Sequence, residues 1–393
     1  AVTLVWVVGL LACLGLLGYL QQRWDARAAW VGTAALLAGY TPVKLLSGGY
    51  VDWPVFLYGL GTLVTLEAWR REGRARDLIL AGLFTGLAVG SKYTSGVLAL
   101  AGLIALAWHA WQRRASFIPA ALRYGLAATC TALPWFIKNL ATTGNPAYPF
   151  FFTAGAVTPV RLSVYQHLPP WGSALDIFLL PFRATSLGLD AGDGYMFAAG
   201  PLLLGFGLLA WIRRGEPNEA QHASRQNAAV LALSGLALWA VGNQLSGNLI
   251  QTRYYFSIFP AFAVLAAAGE YGLRQLHMPR VRLERISAAL VLLALGFNLL
   301  EVSHTVLKQG SAQAALGIKS EGAYLAENLG WFQPAMQAVR DLPAGAKTLL
   351  LYEPRSLYCA PRCAPDEIMD RWKRTRALES TGAVLDQWQA EGF

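Results

Sequence analysis

Three charged residues lie where apolar segments of this sequence begin or end, and their types suit chemistry at a membrane edge. Asp52 lies in a short polar break at 47–54, Lys92 separates two apolar runs, and Arg253 precedes a third. An ionisable residue near a membrane is costly and is therefore a functional candidate. Two cations close to one carboxylate would suit a phosphate-bearing substrate beside a polar acceptor.

Each of these residues also has a simpler interpretation. Asp52 can cap a helix that begins at Pro54, because Asp and Pro are ordinary residues at helix starts. Lys92 follows an apolar run of only 14 residues at 78–91, so it should lie below the membrane surface, and its side chain can extend to water. The sequence leaves both alternatives open.

The composition indicates a membrane protein. Of the 393 residues, 55% are hydrophobic and 14% are charged, and 14 are Trp. The mean hydropathy is +0.39. The net charge of +9 comes mostly from Arg in short loops, with no long basic tract, so membrane topology explains it better than a nucleic-acid partner.

About ten apolar runs have the length expected of membrane helices. They predict a polytopic, all-α membrane bundle. The runs lie at 2–21, 28–46, 54–69, 78–91, 94–112, 119–138, 196–212, 227–244, 254–272 and 286–306.

Basic residues are concentrated after the odd-numbered runs, which predicts that those loops are cytoplasmic. This topology puts Asp52, Lys92 and Arg253 at the outer membrane edge. It gives a membrane domain at 1–306 and an outer α/β domain at 307–393. The basic residues are Arg23, Arg27, Arg70, Arg71, Arg74, Arg76, Arg113, Arg114, Arg123, Arg213, Arg214, Arg225, Arg274, Arg280, Arg282 and Arg285.

The loop at 139–195 is too long for a plain connector, and it should be on the outer side. Its apolar segments at 162–168 and 175–182 are too short to span a membrane, and prolines interrupt the loop. They predict interfacial helices over an outer cavity. A packed lid without ligand contacts is the alternative.

The segment after 306 predicts an α/β domain with one strand at 347–352. One strand cannot bury both faces, so a second strand is expected beyond residue 393. The sequence also begins without Met, and we expect it to be truncated at both ends. The helices of this domain are predicted at 320–328, 334–341, 366–375 and 381–391.

Four cysteines fall into two classes. Cys13 and Cys130 lie in apolar runs and are predicted to be small core residues. Cys359 and Cys363 lie in the predicted outer domain, where disulfides persist, and form a disulfide candidate. Free thiols and a metal site are the alternatives for this pair.

Several motifs resemble the GT-C class of membrane glycosyltransferases, in particular family 39 and the bacterial relatives of the protein O-mannosyltransferases and of the aminoarabinose transferase. The motifs follow one another over nearly the whole chain. They are Asp52 after Gly48-Gly49, Ala81–Ala88 followed by Lys92-Tyr93, Pro134–Asn139 with Thr143–Phe150, Arg253-Tyr254-Tyr255 with Pro260, and Glu353-Pro354-Arg355 with Tyr358.

The resemblance implies an enzyme of the bacterial inner (plasma) membrane, part of the cell envelope machinery, that transfers a hexosyl or pentosyl group from a polyprenyl-phosphate donor. Transfer would occur with inversion on the outer face, to a lipid, glycan or protein acceptor. Lys92 and Arg253 would bind the donor phosphate. The residues expected in the substrate cavity are Tyr93, Asn139, Asn145, Tyr148 and Tyr254.

The resemblance also implies a divalent metal, Mg or Mn, in many members of the class. The principal catalytic base of the class lies in the first outer loop, which we expect upstream of residue 1. Asp52 would then be a second acidic group that binds the metal or positions the substrate.

Two other functions fit the same features. A transporter or flippase of lipid-linked glycans would also need an outer cavity and a buried cation, although transporters usually show internal repeats and broken helices, and no such repeat is evident. A non-catalytic protein of the GT-C type that only binds its ligand is the third hypothesis.

Overall fold

A computed structural model describes residues 2–155, 157–166, 172–186, 199–212, 218–276, 280–366, 371–376 and 380–393. The described chain is mostly helical, and the predicted all-α membrane class is confirmed. Two compact units divide it. The first comprises 1–137 and 168–298, and the second comprises 138–167 and 299–393. Part of the long loop thus belongs to the second unit, and the predicted domain boundary at 306 stays a prediction.

The helices are numbered in chain order. They are α1 (Val2–Arg23), α2 (Ala26–Leu37), α3 (Tyr40–Ser47), α4 (Asp52–Glu72), α5 (Ala75–Ser91), α6 (Gly96–Arg113), α7 (Phe117–Thr143), α8 (Pro159–Gln166), α9 (Asp176–Ser186), α10 (Pro201–Leu209), α11 (Glu219–Leu245), α12 (Phe259–Arg274), α13 (Leu283–Lys308), α14 (Ser311–Ala315), α15 (Glu321–Leu329), α16 (Phe332–Arg340), α17 (Arg371–Arg376) and α18 (Thr381–Ala390). Short 3-10 turns lie at Tyr93–Ser95, Gly247–Ile250 and Thr252–Ile258.

Within the described residues, five helical segments are long and apolar enough to cross a membrane. The predicted number of about ten spans is thus not confirmed. The five segments are Val2–Arg23, Tyr93–Arg113, Glu219–Leu245, Thr252–Arg274 and Leu283–Lys308.

The second predicted span, at 28–46, is wrong as a single helix, because the chain breaks between α2 and α3. Pro42 lacks the N–H that would bond to the carbonyl of Ala38, so a continuous helix loses a hydrogen bond there. Asn298 compensates: its Nδ2 donates to the carbonyl of Leu37 at 2.9 Å and to that of Gly39 at 3.3 Å. The break thereby remains hydrogen-bonded, as membrane burial requires.

The seventh predicted span, at 196–212, is also shorter than expected. The helix there, α10, has 9 residues, and residues 196–198 lie outside the described part of the chain. It nevertheless packs closely on α12, which is buried over most of its length.

Close packing of α4 against the turn at 252–258 positions the start of α4. A Cβ on Gly59 would lie 1.9 Å from the carbonyl oxygen of Ser257, so only glycine permits this approach. Trp53 and Phe256 pack edge to face with ring centroids 5.3 Å apart, an arrangement that aromatic pairs favour. Asp52 is consequently held next to the residues that precede α12.

The long loop contains helices near the predicted positions. α8 belongs to the second unit, whereas α9 belongs to the first and contacts α10 and α11. In α9, Asp176 accepts a hydrogen bond from the backbone N–H of Ser173 at 2.6 Å and pairs with Arg183. Residues 167–171 lie outside the described part of the chain, and a roof over an outer cavity stays a prediction.

The second unit contains a small parallel sheet. Strand β1 (Thr348–Leu349) pairs with β2 (Cys363–Ala364). The predicted strand at 347–352 is thus too long, and a second strand, β2, already lies within the chain. Of the predicted helix at 366–375, Asp366 is not helical, residues 367–370 lie outside the described part of the chain, and α17 begins at Arg371.

A disulfide joins Cys359 and Cys363 beside this sheet, in a core with Met336 and Leu350. Nearby, the guanidinium of Arg355 hydrogen-bonds the carboxylate of Glu353 and lowers the pKa of that carboxyl.

We expect the double variant Cys359→Ser/Cys363→Ser to destabilise the second unit, because it removes the disulfide. The loss should be only about 2 kcal/mol, since the loop that the disulfide closes is short. Faster hydrogen exchange at the amides of Thr348 and Leu350, which bond across the sheet, would report the change. The single variant Cys13→Ser, which leaves this bond intact, is the control. Equal exchange in both variants would contradict the prediction.

Candidate functional site

Asp52 and Lys92 form a buried ion pair. α4 begins at Asp52 itself, after Val51, and no side chain caps the helix. Lys92 follows the end of α5 in an extended conformation, and its Nζ donates to Oδ1 of Asp52. The side chains are 16% exposed for Lys92 and 2% exposed for Asp52. Helix capping and extension to water are therefore not the roles that these side chains take.

A third element meets this pair. The Nζ of Lys92 donates to the carbonyl oxygen of Arg253 at 3.1 Å and lies 5.1 Å from the ring centroid of Tyr254. Both residues belong to the 3-10 turn that precedes α12. Residues about 40 and 160 positions apart in the sequence thus converge on one ammonium group.

The guanidinium of Arg253 lies near two aromatic rings. Its Cζ lies 5.1 Å from the ring centroid of Tyr50 and 5.4 Å from that of Tyr254. Its Nε donates to Oε1 of Gln251 at 3.2 Å. Contacts with the two rings and with Gln251 restrict the guanidinium, and its planar set of donors suits a phosphate partner.

The charges of this cluster favour an anion. Two cations, Lys92 and Arg253, accompany one carboxylate, Asp52, so the group carries one net positive charge when all three are ionised. Arginine binds phosphate with two parallel hydrogen bonds, and lysine acts as a point charge. The cluster can therefore bind and orient a phosphate.

The remaining predicted site residues do not all join this cluster. The hydroxyl of Tyr93, next to Lys92, accepts a hydrogen bond from Nε1 of Trp135 at 3.2 Å. Asn139, Asn145 and Tyr148 belong to the second compact unit.

The two asparagines stabilise their own loop. Nδ2 of Asn145 donates to the carbonyl of Phe150 at 2.7 Å, and its Oδ1 accepts from the N–H of Ala147 at 2.9 Å. Nδ2 of Asn139 donates to the carbonyl of Pro146 at 3.4 Å. These contacts are those of a structural turn, and a cavity role for these residues stays a prediction.

The residues around Asp52 do not suit the predicted Mg or Mn. Its carboxylate accepts from an ammonium group, which competes with a metal cation. No cluster of three His, Cys, Asp or Glu side chains that could hold a metal occurs among the described residues. A hard divalent cation requires several oxygen ligands, so the donor set fits an ammonium group better.

Four residues with buried or site contacts were not predicted from the sequence. Tyr50 and Gln251 hold Arg253, and the only available signal was their position beside Asp52 and Arg253. Glu67 and Glu270 are fully buried carboxylates inside apolar runs. An acidic residue within a predicted span is itself a signal of a functional or structural ion pair. The high average hydropathy of the surrounding residues hid these two carboxylates.

Glu67 and Glu270 form ion pairs outside this cluster. Glu67 accepts from Nε of Arg23 at 2.7 Å, and Glu270 accepts from Nε of Arg27 at 3.1 Å and Nε of Arg274 at 3.0 Å. All three arginines lie in the loops predicted to be cytoplasmic.

Comparisons with known proteins agree with the predicted class. Residues 1–137 match the family described as dolichyl-phosphate-mannose-protein mannosyltransferase. The predicted resemblance to the GT-C glycosyltransferases is confirmed over this segment. The match supports a membrane glycosyltransferase without identifying the sugar. No curated protein matches the chain.

Two solved structures align with the chain, both of ArnT from Cupriavidus metallidurans. The crystal structure bound to undecaprenyl phosphate is 14% identical, with a TM-score of 0.47, and the alignment covers 95% of this chain and 70% of that one. The crystal structure in the apo state is 15% identical, with a TM-score of 0.48, and the alignment covers 98% of this chain and 75% of that one.

Proposed function

We propose that this chain is part of a glycosyltransferase that takes a sugar from a polyprenyl-phosphate donor and transfers it, with inversion, to an acceptor on the outer face of the membrane. The contact of Lys92 with Asp52 and the carbonyl of Arg253 is the observation that carries this proposal. This contact brings two cationic residues, Lys92 and Arg253, together at the ends of membrane segments. Such a pair suits a phosphate attached to a membrane-embedded lipid.

In this mechanism, Lys92 and Arg253 bind the donor phosphate. The acceptor hydroxyl oxygen attacks the anomeric carbon from the side opposite the phosphate. The bond between that carbon and the phosphate oxygen breaks, and the cations stabilise the negative charge that develops on the leaving phosphate. The hydroxyl proton passes to a base, and we assign that role to none of the described residues.

Asp52 acts as a positioning residue. Its carboxylate is almost completely buried and holds the ammonium group of Lys92 near Arg253, although two neighbouring cations repel each other. When a phosphate binds, it supplies negative charge to both cations. Asp52 therefore prepares the site without contacting the reacting atoms.

An assay of the full-length protein tests the proposal directly. The protein would be reconstituted in nanodiscs with a panel of polyprenyl-phosphate sugars and candidate acceptors, and glycosylated product would be measured. Transfer from one of these donors, with an inverted anomeric centre in the product, is expected. Release of the sugar from none of them would contradict the proposal.

We expect Tyr50→Leu to lower kcat/KM about three- to tenfold by removing one ring from Arg253. An exposed to partly desolvated cation–π contact is worth roughly 0.5–2 kcal/mol. The loss should come mainly from a higher KM for the donor, because the variant loosens the phosphate-binding guanidinium and leaves Lys92 in place. Tyr40→Leu, also in the first unit, is the matched control. A change in kcat alone would argue against the contact with donor phosphate.

A second candidate function rests on the break between α2 and α3, because discontinuous helices are typical of transporters. A flippase of lipid-linked glycans could use the same cation cluster. The two functions separate in detergent solution, where an enzyme forms product but no transport can occur. Movement of a fluorescent lipid-linked glycan across vesicles, without product in detergent, would favour the transporter.

A further inference from the structure

A groove in the first unit has one polar end and one apolar end. It is lined by α6, by α11 and by the residue Trp211 that follows α10, and its volume is about 390 Å³. His222, Arg225 and Gln226 form the polar end, and Val230 and Leu233 lie further along α11. From Arg225 to Leu233 the helix rises by about 12 Å. A polar end followed by an apolar stretch of this length is complementary to a phospholipid, which has a polar head group and apolar acyl chains.

The polar end is built by contacts between different helices. Nη1 of Arg225 donates to the carbonyl oxygen of Ala210 at 3.2 Å, which fixes the guanidinium beside the end of α10. Gln226 contacts His222 at 3.1 Å and accepts a hydrogen bond from Arg70 of α4. Arg70 also donates to Oε1 of Gln112 at 2.8 Å. Side chains from α4, α6 and α11 are therefore joined around the mouth of the groove.

The charge of the groove is complementary to a phosphate. Among its described lining residues there is one arginine and one histidine, and none is acidic. The guanidinium of Arg225 supplies a fixed positive charge that can make charge-assisted hydrogen bonds. Basic sites between membrane helices on the cytoplasmic side characteristically bind anionic lipid head groups.

Two tryptophans of the groove suit a position at the membrane surface. Trp108 and Trp211 line it, and both indole side chains are exposed. Tryptophan is enriched at the level of lipid head groups because its ring is amphipathic. The loops near both residues are predicted to be cytoplasmic.

We propose that this groove binds one anionic diacyl phospholipid of the predicted cytoplasmic leaflet, with its phosphate at Arg225 and an acyl chain along Val230 and Leu233. The site differs from the donor site. Arg70, at the mouth of the groove, and Asp52 lie 18 residues apart on α4, which corresponds to about 27 Å of helix.

Native mass spectrometry of the full-length protein in neutral detergent tests this inference, with phosphatidylglycerol and phosphatidylcholine as the added lipids. We expect the protein to bind phosphatidylglycerol about tenfold more tightly, as one charge-assisted contact would give. Arg225→Gln should abolish the preference, since the amide is polar but carries no charge. Arg225→Lys should retain most of it.

The control variant is Arg285→Gln, which removes an exposed arginine on the same predicted face but outside the groove. Equal losses in Arg225→Gln and Arg285→Gln would indicate non-specific attraction and overturn the inference, as would equal binding of both lipids by the unmodified protein. If Arg225→Gln does not fold, Leu233→Trp should fill the groove from an exposed position and remove lipid binding. Unchanged binding in that variant would also overturn the inference.

Discussion

Lys92→Met is expected to lower kcat/KM for sugar transfer by about 10- to 150-fold. The variant removes a charged contact to the donor phosphate, and hydrogen bonds to charged groups are typically worth about 1.5–3 kcal/mol. It also leaves Asp52, which is only 2% exposed, without its ammonium partner. Product formation by the reconstituted full-length protein, measured over a range of donor concentrations, gives the ratio directly.

Destabilisation must be separated from the loss of a substrate contact. A buried carboxylate without a partner destabilises a protein by about 3–5 kcal/mol. The double variant Asp52→Asn/Lys92→Met removes both charges, so we expect it to regain most of the thermal stability that Lys92→Met loses. Its kcat/KM should remain low, because the phosphate contact is still absent.

Lys44→Met is the matched control, since Lys44 lies in the last turn of α3, outside the contacts of the cluster described above. It should transfer sugar at the unmodified rate. Recovery of activity together with stability in the double variant would mean that the pair is only structural, and the assignment of Lys92 to donor phosphate would be wrong.

The convergence of Asp52, Lys92 and Arg253 could be predicted because membrane topology restricts position strongly. Each residue ends or begins an apolar run, and the pattern of basic loops assigns all three to one edge. The contact of Arg253 with the ring of Tyr50 could not be predicted from the sequence. Tyr50 reaches that side chain only because the turn at 252–258 packs against α4, and this approach depends on tertiary packing at Gly59.

Hydropathy averaging explains two features that the sequence did not reveal. A hydropathy pattern averages over about 20 residues, so it does not register one residue that lacks a donor or carries a charge. Pro42 interrupts the second run without lowering its average, and Glu270 is hidden in the ninth run in the same way. Strand β2 was not predicted for a different reason. It has only two residues, which is too short for an alternating pattern to be visible.

Two buried carboxylates thus need different explanations, although burial alone does not distinguish them. Asp52 pairs with one lysine beside a second cation, Arg253, that lies near two tyrosine rings. Glu270 is surrounded by arginines that pair directly with it, and Arg274 also donates to Asp25 at 2.6 Å. The charges around Glu270 satisfy one another, whereas the cluster at Asp52 keeps an excess positive charge for a ligand.

Glu270→Gln is therefore expected to destabilise the first unit by roughly 2 kcal/mol while leaving the kcat/KM of the folded protein unchanged. Removing one partner of a buried ion pair costs about 3–5 kcal/mol, but Arg27 is 39% exposed and water screens part of this loss. The midpoint of thermal unfolding in detergent should fall by a few degrees. Glu284→Gln, at an exposed end of the same network, is the control and should change stability by less than about 0.5 kcal/mol. A loss of transfer as large as that in Lys92→Met, with the midpoint unchanged, would show that Glu270 serves the reaction and that net charge does not distinguish the two clusters.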